Sequence, residues 1–170
     1  SLAPNGGFED GQSVWEESSS LGLPLIYHQD DLPSLRPPYE GEWAAWLGGA
    51  NYEVASIAQA LEVPIDRPFL AFNHWIDSQD YCYYDWVVIT VNDEYVGIVD
   101  LCYETSQGEW TRSTWDLSSY SGQTVLLQFT ISTDYTIVSN WFVDNIGFTE
   151  NPVPPETRLP AQLSGPTPEK

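Results

Sequence analysis

The chain has 170 residues, 25 of them acidic against five basic, for a formal net charge of -20. With 42% hydrophobic and 14% aromatic residues it is long enough for one well-packed domain and too apolar for a disordered chain. The charge repels nucleic-acid phosphate and anionic lipid, so neither is expected as a partner, and no run of about 18 apolar residues exists to span a bilayer.

The opening residues, Ser1-Leu2-Ala3-Pro4, carry neither an initiator Met nor a basic region followed by an apolar stretch, and read as the start of a mature, exported product. The segment Ser18 to Tyr39 holds Pro24, Pro33, Pro37 and Pro38 and the pair Asp30-Asp31, which predicts a long surface excursion with at most one edge strand. From residue 41 onward extended segments follow one another: Glu42 to Leu47, Tyr52 to Val63, Phe69 to Ile76, Tyr84 to Val91, Tyr95 to Leu101, Trp110 to Trp115, Thr124 to Ser132 and Asn140 to Phe148. Gly48-Gly49, Pro64, Pro68, Asn92-Asp93, Gly108 and Gly122 punctuate them as turns. Within 52–63, Ala55, Ile57, Ala58, Ala60 and Leu61 also fit a helical face. The alternation of Ala55, Ile57, Leu61 and Val63 in an otherwise β-type chain favours a strand. Strands at this spacing predict an antiparallel sandwich or barrel over residues 1–150. Residues 151–170 contain six prolines and no aromatic, and read as an extended Pro-rich C-terminal tail or linker with Val153, Leu159 and Leu163 as apolar handles.

Cys82 and Cys102 are the only cysteines. Pairing the two strand-like runs on either side of Asn92-Asp93 as a hairpin sets positions 82 and 102 opposite each other on one face. A disulfide there would contribute about 3 kcal/mol and imply an oxidising, extracellular setting.

Carboxylates about 4 Å apart repel by roughly 4 kcal/mol at a surface-like dielectric, so any converging group of acids needs a counter-charge that five basic side chains cannot supply. Calcium, which takes six to eight oxygen ligands, could supply it; a dispersed, solvated acidic surface is the alternative. Asp77, Asp80, Asp85, Asp100 and Asp134 flank the expected disulfide. Asp80, Asp85 and Asp134 are candidates for an oxygen site, against the reading that they are solvated loop acids.

Asn5-Gly6-Gly7-Phe8-Glu9-Asp10-Gly11 with Trp15 at one end, and Trp141-Phe142-Val143-Asp144-Asn145-Ile146-Gly147-Phe148 at the other, resemble the ends of jelly-roll carbohydrate-binding modules attached to glycanases. The chain is also similar to MAM domains and to the accessory domain of immune-inhibitor-A metallopeptidases, through Trp115-Asp116-Leu117-Ser118-Ser119-Tyr120-Ser121-Gly122-Gln123-Thr124-Val125 followed by Thr133-Asp134. The resemblance spans roughly residues 5–149 and implies an all-β antiparallel jelly-roll β-sandwich. It further implies a structural calcium held between Glu9 and Asp144, with carbonyls from the Gly6-Gly7 turn and from the Tyr39 to Glu42 loop around Gly41. Asn145 stands where the family pattern usually has a second Asp.

Catalytic signals are weak: His28 and His74 are the only histidines, and no metalloprotease, nucleophile-elbow or phosphate-loop pattern occurs. An enzyme is not expected. Eight Trp and ten Tyr exceed the needs of one core, and Trp15, Trp43, Trp46, Tyr83, Tyr84 and Trp110 are candidates for exposed ligand or interface aromatics. The leading expectation is a secreted, calcium-stabilised structural or adhesive subunit that associates with copies of itself through its tail, as a homo-oligomer or filament. The alternative is a carbohydrate-binding module of a secreted glycanase or peptidase, with a polysaccharide ligand and the tail as linker.

Overall fold

A computed structural model describes residues 1–154 and 165–170. Leu159 and Leu163 lie outside the described residues. Among the described residues, ten strands run in order as β1 (Glu16–Ser19), β2 (Ile26–His28), β3 (Trp43–Gly48), β4 (Val54–Glu62), β5 (Phe69–Ser78), β6 (Trp86–Val91), β7 (Glu94–Asp100), β8 (Thr111–Asp116), β9 (Thr124–Ser132) and β10 (Ser139–Thr149). They form two five-stranded antiparallel sheets, β1-β4-β9-β6-β7 and β2-β3-β10-β5-β8, packed as a sandwich. Among the described residues no helix is long and apolar enough to cross a membrane.

The period of two in the sequence builds the core. In β9 the residues Val125, Leu127, Phe129 and Ile131 are buried and alternate with more exposed ones, so one face of the strand meets the opposite sheet. Residues 54–62 form a strand, paired to β9 from Val54↔Ser132 to Glu62↔Thr124, which settles the helix alternative. The β6–β7 hairpin closes at Asn92 and Asp93, both left-handed at φ 51° and 65°, in a two-residue connection that matches the strand twist. Asn92 Oδ1 also accepts the Leu126 N–H at 2.9 Å.

Some expectations need correction. The excursion over Ser18 to Tyr39, expected to hold at most one edge strand, holds the edge strand β2 and also the end of a second, β1, at Ser18 and Ser19; both are only three or four residues long, too short for a periodic pattern. Strand β6 begins at Trp86, so Tyr83 and Tyr84 lie in a loop rather than in a ladder. Cys82 and Cys102 do form a disulfide, but it joins loop residues beyond the hairpin's last paired residues, Trp86↔Asp100. Trp15, expected as an exposed aromatic, is 4% exposed. It packs on Phe8 with 5.7 Å between ring centroids and donates its indole N–H to the Asn5 carbonyl at 2.9 Å, so it seals the core.

The two chain ends meet on β10. Its first half pairs with β3, from Asn140↔Gly48 to Val143↔Ala45, and its register against β5 shifts between Asp144 and Gly147, where Asn145 takes φ 50°. Past that bulge β10 is flanked instead by the N-terminal segment: Ala3 N–H donates to the Ile146 carbonyl at 2.9 Å and Phe148 N–H to the Ser1 carbonyl at 2.8 Å.

Candidate functional site

Alternation along β5 and β10 sends Phe72, Trp141 and Val143 inward and leaves Trp75 and Phe142 on the outer face of their sheet. Trp46, Phe142 and Trp75 are register partners across three strands, and Trp46 stacks on Phe142 at 5.5 Å. Tyr27 extends this row on β2 at 5.5 Å from Trp46, and Trp110 extends it on the other side at 6.1 Å from Trp75. An aromatic row therefore crosses the whole sheet.

Among the described residues two cations lie on it. Arg36, carried by the loop after β2, sits 5.1 Å over Trp75 and pairs with Asp77 through Nε at 2.6 Å, with both side chains buried. Burial pushes the Asp77 carboxyl up, and the Arg36 guanidinium pulls against that shift. Lys170 lies 5.0 Å over Trp46 and 5.2 Å over Tyr27, and its Nζ donates to the Trp46 carbonyl at 2.6 Å. Burial lowers its pKa to about 8. The Lys170 N–H donates to the Gly49 carbonyl at 2.8 Å, and Asn140 Nδ2 donates to the Pro168 carbonyl at 2.9 Å. Residues 165–170 thus lie on their own sandwich.

Trp46 is consequently 5% exposed, a correction to its expected exposure that arises because Lys170, Tyr27 and Phe142 pack against its ring. Beside it a groove remains open, lined by Gln12, Tyr27, His28, Asp31, Trp43, Trp46 and Lys170 among others. Trp43 and His28 meet edge to face at 5.3 Å on its wall. Trp110 is half-buried, paired with Tyr39 at 6.1 Å, and donates its indole N–H to the Pro37 carbonyl at 3.0 Å. Tyr83 and Tyr84 are exposed, far along the chain from this groove, in the loop before β6.

Glu9, Gly7, Gly41 and Asp144 converge where β3 begins and β10 bulges. Glu9 accepts the N–H groups of Glu42 and Trp43 at 3.1 Å. Asp144 is fully buried, and its two oxygens accept the N–H groups of Glu40 at 3.2 Å and Asn145 at 2.7 Å. Burial nonetheless pushes its pKa up to about 7, with Glu9 adding repulsion. Gly41, at φ 70°, is glycine because a Cβ there would overlap the Glu9 carboxylate; a Cβ at Gly7 would sit 3.1 Å from Asn145 Oδ1. An all-oxygen donor set, a glycine cradle and a buried carboxyl that no ion pair among the described residues neutralises fit a calcium ion. Asn145 Nδ2 donates to Glu40 Oε2 at 2.8 Å, and its Oδ1 lies beside Gly7.

Of the other acids, Asp77 is taken by Arg36, and Asp100 accepts the Tyr83 N–H at 3.0 Å. Asp80, Asp85 and Asp134 come together, one carboxylate oxygen of each within 4.8 Å of the others. Burial pushes Asp85 up to about 6. At that spacing each ionised pair repels by about 3 kcal/mol at an effective dielectric of about 20. The residues not anticipated from the sequence are Tyr27, Trp75, Phe142, Arg36 and Lys170. For Trp75 and Phe142 the signal was available, because they alternate with the inward residues of their strands.

No protein-family model and no curated protein sequence matches the chain. Solved structures do. The carbohydrate-binding module TmCBM61, in complex with β-1,4-galactotriose, superposes with a TM-score of 0.60 at 15% identity, covering 88% of this chain and 98% of that one. The K3 cleaved adhesin domain of Lys-gingipain from Porphyromonas gingivalis gives 0.59 at 13% identity, covering 88% and 98%. A family 16 carbohydrate-binding module gives 0.51 at 16% identity, covering 88% and 100%. The chain has the β-sandwich fold shared by carbohydrate-binding modules and cleaved adhesin domains.

Proposed function

We propose that the chain is an extracellular carbohydrate-binding module whose ligand lies in the groove beside Trp46. The observation that carries this reading is the groove's make-up: aromatic walls from Tyr27 and Trp43, with Trp46 beneath Lys170, beside the amide of Gln12 and the carboxylate of Asp31. Pyranose C–H faces stack on flat rings while their hydroxyls take hydrogen bonds from such polar groups. The fold neighbours that carry carbohydrate-binding names support the class of ligand but not its identity. Calcium held by Glu9 and Asp144 clasps the chain ends, and the disulfide suits a secreted protein. The role is binding rather than catalysis. Affinity electrophoresis through gels containing soluble polysaccharides tests it: retardation of the wild type, and its loss in Tyr27→Ala and His28→Ala variants that melt normally, is the expected result.

A second reading, an adhesive subunit that associates with itself, is favoured by one feature. Tyr52 and Tyr135 stack at 6.2 Å, and Tyr81 and Tyr103 meet at 6.4 Å, all exposed. Sedimentation velocity with calcium and with EDTA tests it, and a monomer in both conditions ends it.

A further inference from the structure

One polar cluster has no part in the sugar-binding reading. The segments between β5 and β6 and between β9 and β10 bring Asp80, Asp85 and Asp134 to one end of the sandwich. Each acid engages one oxygen in the same way: Oδ1 of Asp80 accepts the Tyr81 N–H at 2.8 Å, Oδ1 of Asp85 the Asp134 N–H at 2.7 Å, and Oδ1 of Asp134 the Thr136 N–H at 3.0 Å. The second oxygens of Asp80 and Asp85 have no hydrogen-bond partner, although the two residues are only 2% and 0% exposed. A carboxylate oxygen withdrawn from water without a donor is strongly disfavoured, and two side by side are worse. No ion pair among the described residues brings a basic side chain to them.

We infer that Asp80, Asp85 and Asp134 form a second divalent-cation site, and that its ion is calcium. The donors are all oxygen; the neighbouring sulfurs of Cys82 and Cys102 are closed in a disulfide and cannot act as thiolates. Calcium–oxygen bonds of about 2.3–2.6 Å let two ligands stand up to about 5 Å apart across the ion, which accommodates the observed spread, while magnesium demands about 2.0–2.1 Å. An ion there ties together the two loops that present Tyr81, Tyr83 and Tyr135 to solvent. The competing counter-charge is a proton shared between Asp80 and Asp85, for which both carboxyls are poised by burial.

Thermal unfolding of the full chain, in EDTA and in millimolar calcium, separates the two. Wild type is compared with Asp85→Asn and Asp134→Asn, and with Glu9→Gln as the control for the clasp at the chain ends. An ion present at about a hundred times its Kd raises the wild-type Tm by roughly 5–10 °C. Both aspartate variants lose that increment, yet melt in EDTA at or above the wild-type Tm because repulsion is relieved; Glu9→Gln keeps the part of the shift that they lose. Terbium emission sensitised by Tyr81 provides a second readout: calcium displaces it in the wild type, and it falls in Asp134→Asn. Equal calcium shifts in wild type and Asp134→Asn, or no shift and no emission in the wild type, overturn the site and leave the shared proton.

Discussion

His74 is an ionisable side chain placed among core aromatics, 5.3 Å from Phe72 and 6.0 Å from Trp141. Trp141 Nε1, which can only donate, donates to His74 Nδ1 at 2.9 Å, so Nε2 carries the proton and faces Ser113 Oγ at 2.9 Å. Burial lowers its pKa from 6.5 to about 3. Between those values the unfolded chain binds a proton that the folded chain refuses, so this contribution is complete above about pH 6.5 and is lost as pH falls toward 3. Urea unfolding of wild type and His74→Gln should show their stability difference shrinking by on the order of a few kcal/mol from pH 7 to pH 4. A constant difference would place the ring in contact with water. Arg36 presents the opposite case, a charge held in the interior by its partner. Arg36→Met leaves Asp77 buried and unpaired and should cost about 3–5 kcal/mol in the same assay, far more than a surface pair. At this scale the proximity of Glu9, Gly41 and Asp144 was implied by the resemblance of the two terminal motifs to carbohydrate-binding modules and not by composition or spacing. The burial of Trp46 was not legible, because parity along a strand tells which face a ring takes but not what lies over it; Trp15 lies before β1, outside any strand period.

Among the elements, the hairpin between β6 and β7 depends on two successive left-handed residues. Replacing Asn92 by Val adds a branched Cβ at φ 51° and removes the acceptor for the Leu126 N–H, for an expected loss of about 1–2 kcal/mol in thermal or urea unfolding. The Cys82–Cys102 bridge closes a 20-residue separation just beyond that hairpin. Reduction should lower stability by about 3 kcal/mol, read as a drop in Tm on adding reductant. Strands β4, β9 and β10 were legible because each runs for at least nine residues with period-two burial or a continuous apolar run. The edge strands β1 and β2 were not, since three or four residues with mixed exposure carry no period. The start of β6 was misplaced by two residues because Tyr84 and Asp85 look strand-like, while Asp85 turns inward to the carboxylate cluster.

For the whole molecule, the net charge of -20 is offset locally on the aromatic face, where Arg36 pairs with Asp77 and Lys170 lies over Trp46 and Tyr27. Lys170 stands where a sugar ring in the proposed groove would stack on Trp46, so on that proposal residues 165–170 would compete with the polysaccharide. Lys170→Ala should therefore strengthen polysaccharide retention. The sandwich itself was legible from the sequence; the folding back of residues 165–170 was not, because a proline-rich composition is equally consistent with a free linker. The most direct measurement is isothermal titration of the chain with soluble polysaccharides, β-1,4-galactan among them, comparing wild type with Tyr27→Ala and Tyr83→Ala. Binding that Tyr27→Ala abolishes and Tyr83→Ala leaves intact is the predicted result. Binding that survives Tyr27→Ala, or no binding to any of the polymers, would contradict the assignment of the groove as the ligand site.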